Sequence, residues 1–486
     1  MLASSKYGYI RTIKFALPHI LIALIVLLHL YYSFTFVSEI DDYISDECWY
    51  VSSARNLLIK AFNIMPRYVT ADGLLGLNIE LSDLSARSNV IRTILGYGGR
   101  VVKSDYSLTQ LIYVEVPGHL DTRELLEIPG VKSVIPGFRY PDYSSITSYL
   151  NTEHPPFTKY FIALSIALCG DRPICWRLPS LIASSITLVL TYLIIRSIIN
   201  GLTGSYLGVV ASLLLALDNL FRSMSMVAMI DMTLALFTTL TLCLIIKGRL
   251  LAGLISLNLA FISKYSGLFV APIYLMISIS RGMRPINVIS YVALSPLLAL
   301  VISSIPLIIL QGFGQWWYEA VENAIRWHLS VKTLSGPPTA APWEWLLGVN
   351  PFILHYRYID GAWVADMVAK GNNIIYLIVA TTSLITLPAI NKLVDGGIIS
   401  KFTWTTFLMY VFIWFLGSRT QYSFYMVQLV PSIYALLMIY VYWLTSKENI
   451  NYLIKRWLEL LNMIARWLSG EVRVCLHVEL KERSEK

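Results

Sequence analysis

The chain has 486 residues, of which 56% are apolar and only 14% are charged, and its formal net charge is +8. This balance lies outside the usual range of soluble proteins and predicts immersion in a membrane. The basic residues fall mostly beside apolar segments, where they suit anionic lipid headgroups. We therefore exclude a nucleic-acid partner and expect membrane lipids around the chain.

Apolar segments that approach the length of a bilayer span recur along the chain, and about ten can be counted. The first, residues 15–37, resembles a signal anchor because it is too long for the apolar region of a cleaved signal peptide. The others lie near 177–196, 204–218, 229–246, 250–263, 266–280, 287–310, 373–391, 402–417 and 424–445. The sequence predicts a polytopic α-helical membrane protein with about ten to eleven transmembrane helices.

Basic residues in the short connections predict an orientation. If the N-terminus is cytoplasmic, the loops that return to that side carry Arg196, Lys247, Arg249, Arg281, Arg284, Lys392, Lys401 and Lys447. The positive-inside rule then holds at each short loop. It predicts a multi-pass protein with cytoplasmic N- and C-termini and with two long extracytoplasmic stretches, 38–156 and 311–370.

The first long stretch contains the pattern of a small α+β unit. Period-two and helical spacings alternate in the order βαββαβ, with strand-like runs around 77–81, 101–103, 111–116 and 131–135. This order is typical of a ferredoxin-like sandwich. Details such as Gly98-Gly99-Arg100-Val101 resemble the propeptide and inhibitor domains of subtilisin-like proteases. Because no catalytic pattern occurs here, we expect a binding or structural appendage.

These patterns divide the chain into four parts. We expect a first transmembrane helix with a catalytic juxtamembrane loop, an inserted extracytoplasmic domain, a transmembrane core that contains the second outer loop, and a cytoplasmic tail, over residues 1–61, 62–140, 141–446 (loop at 311–370) and 447–486. In the last part, apolar residues between 450 and 468 line one helical face and basic residues lie opposite. This pattern predicts an amphipathic helix on the cytoplasmic membrane surface.

Several short motifs follow one another along the chain. They are Asp46-Glu47 after the first span, then Glu153-His154-Pro155-Pro156-Phe157-Thr158-Lys159, Trp176-Arg177-Leu178-Pro179, Ser263-Lys264-Tyr265-Ser266-Gly267, Trp327-His328, Pro342-Trp343-Glu344-Trp345 and Ser418-Arg419. Their order resembles that of the protein O-mannosyltransferases and the bacterial aminoarabinose transferases. Both are membrane-embedded glycosyltransferases of the C class, and the resemblance covers nearly the whole chain except the insert and the tail.

The resemblance implies a glycosyltransferase that moves a sugar, by default mannose, from a polyprenyl- or dolichyl-phosphate carrier to a hydroxyl acceptor with inversion. Protein Ser or Thr is the first choice of acceptor, and a lipid or glycan is the alternative. The chain lacks the MIR-like region of eukaryotic relatives, which favours a prokaryotic plasma membrane. A transporter or lipid-binding receptor is a more distant alternative, since we see no convincing inverted repeats.

The acidic cluster after the first span is the predicted catalytic centre. A carboxylate that takes the acceptor's proton assists attack on the sugar, and Asp46 is our choice of general base. Glu47 is expected to orient Asp46 or to contact the acceptor. Asp41 or Asp42 replaces Asp46 if the alignment of motifs is shifted. A solvated juxtamembrane loop is the non-functional interpretation.

The departing phosphate requires cations. Arg177 is the first choice because of its motif, with a snorkelling role as the alternative, and the other predicted donor-phosphate ligands are Lys159, Arg55 and Arg419. The predicted substrate-binding residues are His154, His328, Trp343 and Trp345, although tryptophans also form interfacial belts. Charged residues near short apolar segments could serve function or pair with one another, namely Asp218, Arg222, Asp231 and Lys264.

We expect no cofactor, and no Gly-x-Gly-x-x-Gly phosphate loop occurs in the sequence. No motif for a metal site appears either, although acidic groups near a phosphate could hold a divalent ion. Cys169 and Cys175 fall on the predicted outer side, where a disulfide could close a small loop.

Overall fold

The computed structural model describes the backbone of residues 2–329 and 337–471, and the side chains in these ranges except those of residues 2–15 and 328. The helices that precede the membrane core are α1 (Leu2–Ser38), α2 (Glu47–Phe62), α3 (Arg87–Gly96) and α4 (Thr122–Leu126). The strands are β1 (Leu74–Leu81), β2 (Arg100–Lys103), β3 (Leu111–Pro117), β4 (Val131–Pro136), β5 (Phe352–Ile359) and β6 (Ala362–Ala369).

The core is helical. Its first helices are α5 (Phe157–Cys169), α6 (Pro173–Ile198), α7 (Gly201–Leu217), α8 (Asn219–Ser225), α9 (Asp231–Ile246), α10 (Leu250–Ser263), α11 (Ala271–Ser280), α12 (Pro285–Ser303) and α13 (Ile305–Gln311). They are followed by α14 (Phe313–Trp317), α15 (Ala324–Leu329), α16 (Pro342–Leu347), α17 (Asn373–Thr386), α18 (Ile398–Phe415), α19 (Val430–Leu444) and α20 (Lys447–Leu468). Short stretches of other helix types occur at Leu84–Ala86, Tyr265–Val270, Tyr318–Asn323, Leu387–Lys392 and Ser423–Gln428.

Among the described residues, five helices are long and apolar enough to cross a membrane, and the bent pair α7–α8 makes a sixth if it counts as one span. The chain is therefore a helical membrane protein. The predicted count of ten to eleven spans stays a prediction, because several predicted segments form shorter apolar helices. Two of them, α9 and α10, have 16 and 14 residues and meet polar residues, Asp231 and Lys264, at one end.

The inserted segment forms its six elements in the predicted order, β1-α3-β2-β3-α4-β4. The sheet is antiparallel with the strand order β2-β3-β1-β4. Alternate residues of β1, Leu77, Ile79 and Leu81, are fully buried against Val90 and Ile94 of α3, because side chains on a strand alternate between the two faces. The classification of this unit as ferredoxin-like and its resemblance to protease propeptides stay predictions.

The other two strands form a hairpin that the sequence analysis did not predict. Strands β5 and β6 pair antiparallel, with Tyr358 opposite Trp363. The turn is Asp360-Gly361, and both residues have positive φ angles, 49° and 86°. Such a pair is favoured in two-residue hairpin turns because its backbone twist matches that of the strands.

A buried ion pair fastens the inserted sheet and α2 to the membrane core. The guanidinium of Arg55, on α2, lies with its Nε 2.8 Å from Oδ2 of Asp171, and both side chains are fully buried. Asp171 precedes α6 and also accepts hydrogen bonds from the backbone N–H of Phe138 and from Nε1 of Trp176. One carboxylate therefore connects α2, the segment after β4, and the start of α6.

We expect Arg55→Leu to lower the free energy of unfolding by about 3–5 kcal/mol, because it leaves Asp171 buried and without its cation. The matched control is Arg100→Leu, which removes an exposed pair with Asp72 on the inserted sheet and should change stability far less. Thermal and denaturant unfolding of the two variants in the same detergent provides the comparison. Equal loss in both variants would contradict the fastening role.

Candidate active site

A cavity of about 460 Å³ opens beside the first residues of α2. It is lined by Asp46, Trp49, Tyr50, Tyr149, Asn151, Glu153, His154, Asn323, Ala324, Trp327 and Tyr422. The lining combines two carboxylates and a histidine with aromatic rings from four separate segments. Aromatic faces and hydrogen-bonding groups together suit a ligand that has both apolar surface and hydroxyl groups.

Asp46 is held at the entrance of α2 by local backbone geometry. Ser45 has a positive φ of 50°, and Asp46 is the residue that caps the N-terminus of α2. Its side chain is partly buried and lines the cavity. A carboxylate at a helix N-terminus is stabilised by the helix dipole.

Glu47, the next residue, faces away from the cavity and is fully buried. Its carboxylate pairs with Arg177 of α6, whose Nε and Nη2 each donate at 2.9 Å. It also accepts the backbone N–H groups of Ile44 and Ala228 at 2.8 Å. Both oxygens of Glu47 are therefore occupied by four donors.

The remaining donors of Arg177 bind backbone carbonyls at the end of α1. Nη1 donates to Val37 and Ile40 at 3.2 and 2.8 Å, and Nη2 donates to Asp42 at 2.5 Å. All five N–H groups of this buried guanidinium are thus used within the protein. In this arrangement Arg177 has no N–H group left for a phosphate, which was its predicted ligand.

Lys159 is also enclosed by the backbone. It lies on α5, which begins and ends beside residues of the 38–156 stretch. Its Nζ donates to the carbonyls of Leu150, Asn151 and His154 at 3.2, 2.6 and 3.0 Å. Burial lowers the pKa of Lys159 to about 7. Like Arg55, it is held by protein groups and does not line the cavity.

The other predicted residues fall in different places. His154 lines the cavity and packs against Tyr50, with ring centroids 5.7 Å apart and the rings tilted. Arg419 is exposed, after α18. Trp345 is buried and donates to the carbonyl of Ala340. Trp343 is 41% exposed and packs near Trp414 and Phe415, and the side chain of His328 lies outside the described residues.

A second buried ion pair lies near the cavity. Nζ of Lys264 is 2.6 Å from Oδ1 of Asp231 and 3.6 Å from the ring centroid of Tyr425. The ring of Tyr425 lies 5.9 Å from that of Tyr422, which lines the cavity. The sequence analysis left open whether the charged residues near the short apolar segments serve function or pair with one another. Asp231 and Lys264 pair with each other.

Tyr50 connects the two acidic groups. Burial raises the pKa of Tyr50 well above its usual range, and the negative charges of Asp46 and Asp231 raise it further. The phenol therefore stays neutral and can donate a hydrogen bond inside the cavity. The sequence offered no motif for this role, because Tyr50 lies on α2 one turn after Asp46 and looks like an ordinary helical residue.

Glu153 is a second residue that the sequence analysis did not assign to the site. It accepts hydrogen bonds from the hydroxyl of Tyr149 and from Nδ2 of Asn151, and all three side chains line the cavity. Burial and the negative charge of Glu153 raise the pKa of Tyr149, which keeps this phenol protonated. Its position directly before His154-Pro155-Pro156 was the available signal.

Asp218 has a structural environment. Its carboxylate accepts hydrogen bonds from the hydroxyls of Tyr376 and Tyr434, both at 2.9 Å, and from the backbone N–H groups of Phe221 and Asn372. Four donors satisfy a buried carboxylate without a cation. This network joins the start of α8 to α17 and α19.

Cys169 and Cys175 form a disulfide between α5 and α6. Within the described ranges, no three His, Cys, Asp or Glu side chains are grouped so that they could hold a metal ion. The sequence-based expectations about metals and cofactors stay predictions.

Residues 153–309 match the family described as dolichyl-phosphate-mannose-protein mannosyltransferase. The match begins at Glu153 and His154 in the cavity and includes Arg177, Asp231 and Lys264. The matched residues are about a third of the chain, and over this part the match agrees with the resemblance on which the sequence analysis relied. A comparison with curated proteins finds no match.

Several solved structures are similar to the chain at low sequence identity. The structure of ArnT from Cupriavidus metallidurans bound to undecaprenyl phosphate is 14% identical in sequence to this chain, with a TM-score of 0.39. The match covers 65% of this chain and 54% of the ArnT chain. Its apo form is 12% identical, with a TM-score of 0.42, and covers 79% and 57%. The archaeal oligosaccharyltransferase AglB from Archaeoglobus fulgidus is 11% identical, with a TM-score of 0.32, and covers 80% and 49%. The chain thus spans about half the length of these proteins.

The environment of Lys159 predicts a pH dependence of stability. Its folded pKa of about 7 lies below the ordinary 10.5, so between these values the unfolded chain binds more protons than the folded one. Stability should therefore rise as pH increases from about 7 towards about 9. Lys159→Met should flatten this slope in thermal unfolding measured across that range. An unchanged slope in the variant would contradict the assignment, whatever its absolute stability.

Proposed function

We propose that this protein transfers a sugar from a polyprenyl-phosphate carrier to a hydroxyl acceptor. The observation that supports this proposal is the shared cavity. Asp46, which precedes α2, meets Glu153 and His154, with which the family-matched segment begins. The matched family is described by dolichyl-phosphate mannose and protein, and one similar structure holds undecaprenyl phosphate.

In the proposed reaction Asp46 acts as general base. The acceptor oxygen forms a bond to the anomeric carbon while the carbon–oxygen bond to the carrier phosphate breaks, and the bonding electrons leave with the phosphate. The acceptor proton passes to the carboxylate of Asp46. One displacement of this kind inverts the configuration at the anomeric carbon. Tyr50 donates to the base or to a sugar hydroxyl, and Glu153 accepts from another.

Glu47 and Arg177 serve as positioning residues in this proposal. Their buried pair holds the start of α2 against the end of α1 and the start of α6, and Asp46 is the residue next to Glu47. A base must stay within hydrogen-bonding reach of the acceptor, so a small shift of α2 would reduce transfer. This role replaces the phosphate contact expected for Arg177.

The phosphate requires a cation that is not already enclosed by backbone carbonyls. Arg419 is exposed and lies three residues before Tyr422, which lines the cavity. Lys264 is paired with Asp231 but lies within the field of Asp46. We assign the phosphate to Arg419, because Arg177 and Lys159 are enclosed by protein acceptors, and Arg55 and Lys264 are each paired with a buried carboxylate.

We propose a protein Ser or Thr hydroxyl as acceptor and an extracytoplasmic site at the plasma membrane. The inserted sheet has two edge strands, β2 and β4, and an extended polypeptide can bind a sheet edge through main-chain hydrogen bonds. Transfer to a lipid or glycan uses the same base and the same carrier. No described contact favours the lipid acceptor over the peptide.

Asp46→Asn should lower the rate of transfer by about 10²–10⁴-fold, because the amide cannot accept the acceptor's proton. The matched control is Asp41→Asn, in the same acidic segment, whose exposed side chain does not line this cavity. The assay uses purified protein in nanodiscs, a radiolabelled polyprenyl-phosphate sugar, and separated products. Near-normal transfer by Asp46→Asn, or an equal loss in Asp41→Asn, would refute the assignment.

The acceptor can be identified with the same assay. We expect label to appear on a Ser- and Thr-containing peptide and not on lipid extracted from the nanodiscs. The control peptide carries Ala at each Ser and Thr, so that only the hydroxyl groups differ. Label in the lipid fraction with an unlabelled peptide would overturn the choice of acceptor while leaving the proposed transfer reaction intact.

A further inference from the structure

The tip of the β5–β6 hairpin carries an exposed apolar surface. The exposed fractions of Tyr358, Ile359, Trp363 and Val364 are 60%, 43%, 70% and 45%. The rings of Tyr358 and Trp363 lie 5.3 Å apart across the two strands. Asp360, at the turn, is the one charged residue between positions 358 and 364. A contiguous aromatic and aliphatic patch of this kind marks an interaction surface.

The base of the hairpin, in contrast, is held firmly in the protein. Phe352 donates its backbone N–H to Oγ of Ser423 at 2.8 Å, and that hydroxyl donates to the carbonyl of Ala369 at 2.7 Å. Nδ2 of Asn219 donates to the carbonyls of Val368 and Lys370. Because the base of the hairpin is fixed to the protein, its exposed tip is held in a defined position from which it can contact a partner.

A contact near the tip places it beside the end of the first membrane helix. Nη1 of Arg357 lies 3.3 Å from Oε2 of Glu39, and its guanidinium is 5.9 Å from the ring centroid of Phe36. Glu39 directly follows Ser38, the last residue of the candidate span Ala16–Ser38. At about 3.3 Å per residue, the turn at Asp360 lies within about 10 Å of Arg357 along the strand, and Arg357 contacts this end of the span.

The neighbouring surface of α1 has the same character. Tyr31, Tyr32 and Phe34 are 70%, 44% and 49% exposed in the last turns of the helix. Tyrosine and tryptophan concentrate where the hydrocarbon layer meets the headgroups, because their rings are apolar and their N–H and O–H groups are polar. The aromatic end of α1 and the hairpin tip are therefore connected through the contacts of Arg357 with Glu39 and Phe36.

We propose that the tip of the β5–β6 hairpin, residues 358–364, inserts into the interfacial layer of the lipid bilayer and anchors the cavity at a fixed depth. The lipid surface explains the aromatic composition and the low charge of the tip, and its contact with the end of a span. The connection to the cavity runs through Ser423, the neighbour of Tyr422, which lines it. The inference does not depend on the proposed transfer reaction.

The test measures lipid contact in the whole protein. A bimane fluorophore on Trp363→Cys, in phosphatidylcholine nanodiscs, should lose about half or more of its emission when a fraction of the lipid carries a shallow nitroxide quencher. Cys48 and Cys243 are buried, and Cys475 is replaced by Ser in every labelled protein, so that the fluorophore reports the new site. Val364→Cys gives a second position if the first variant does not fold.

The matched control is Leu84→Cys, which is also exposed and apolar at 51%. The first residues of β1 lie near the start of α6, because Gly76 bonds Gly137, and the next residue, Phe138, bonds Asp171. Leu84 follows the opposite end of β1, which points away from α6. It should show no quenching by the nitroxide lipid. Equal quenching at 84 and 363, or none at 363 and 364, would overturn the proposal. A spectral change on adding an extended peptide, without lipid quenching, would instead identify a polypeptide-binding edge and also overturn it.

Discussion

The buried pair between Glu47 and Arg177 is the contact on which the geometry of the site depends. An ion pair without solvent is stable only if its remaining polar atoms are satisfied. Here the carboxylate receives four donors, and the guanidinium places all five N–H groups on Glu47 and on carbonyls at the end of α1. The first helix, α2 and α6 are thereby fixed relative to one another. Asp46 is held in position by this junction, because it directly precedes Glu47.

The arrangement of the short helices follows from the same constraint. Helices α9 and α10, with 16 and 14 residues, extend about 24 and 21 Å at 1.5 Å per residue. Both are shorter than the hydrocarbon layer of about 30 Å. Their polar ends, Asp231 and Lys264, pair with each other, because a lone buried charge there is costly.

Much of this organisation could be predicted from the sequence, because periodicity reports which face of a segment is buried. The alternation of Leu77, Ile79 and Leu81 predicted β1, and the order of the six inserted elements followed. The acidic cluster and the His-Pro-Pro segment were also expected at one site, and Asp46 and His154 do line one cavity. The hairpin was missed although Asp360-Gly361, between two β-rich runs, is a turn signal.

The cations could not be assigned from sequence for a physical reason. A motif gives the position of a guanidinium or ammonium along the chain but not its partner, and carboxylates, phosphates and carbonyls all satisfy it. Arg55 meets Asp171, Arg177 meets Glu47, and Lys159 meets three carbonyls. Each partner comes from a distant segment or an irregular loop, so no periodicity could reveal it.

The distribution of charge in the cavity follows from these pairings. Arg55 and Arg177 are paired with buried carboxylates, and Lys159 is enclosed by carbonyls. The carboxylates of Asp46 and Glu153 line the cavity, and Tyr50 and Tyr149 remain protonated. Such a wall accepts hydrogen bonds from hydroxyl groups and repels a phosphate. A ligand with a hydroxyl-rich end and a phosphate end would therefore bind in one orientation, with its hydroxyls towards Asp46 and its phosphate towards the exposed side, where Arg419 lies.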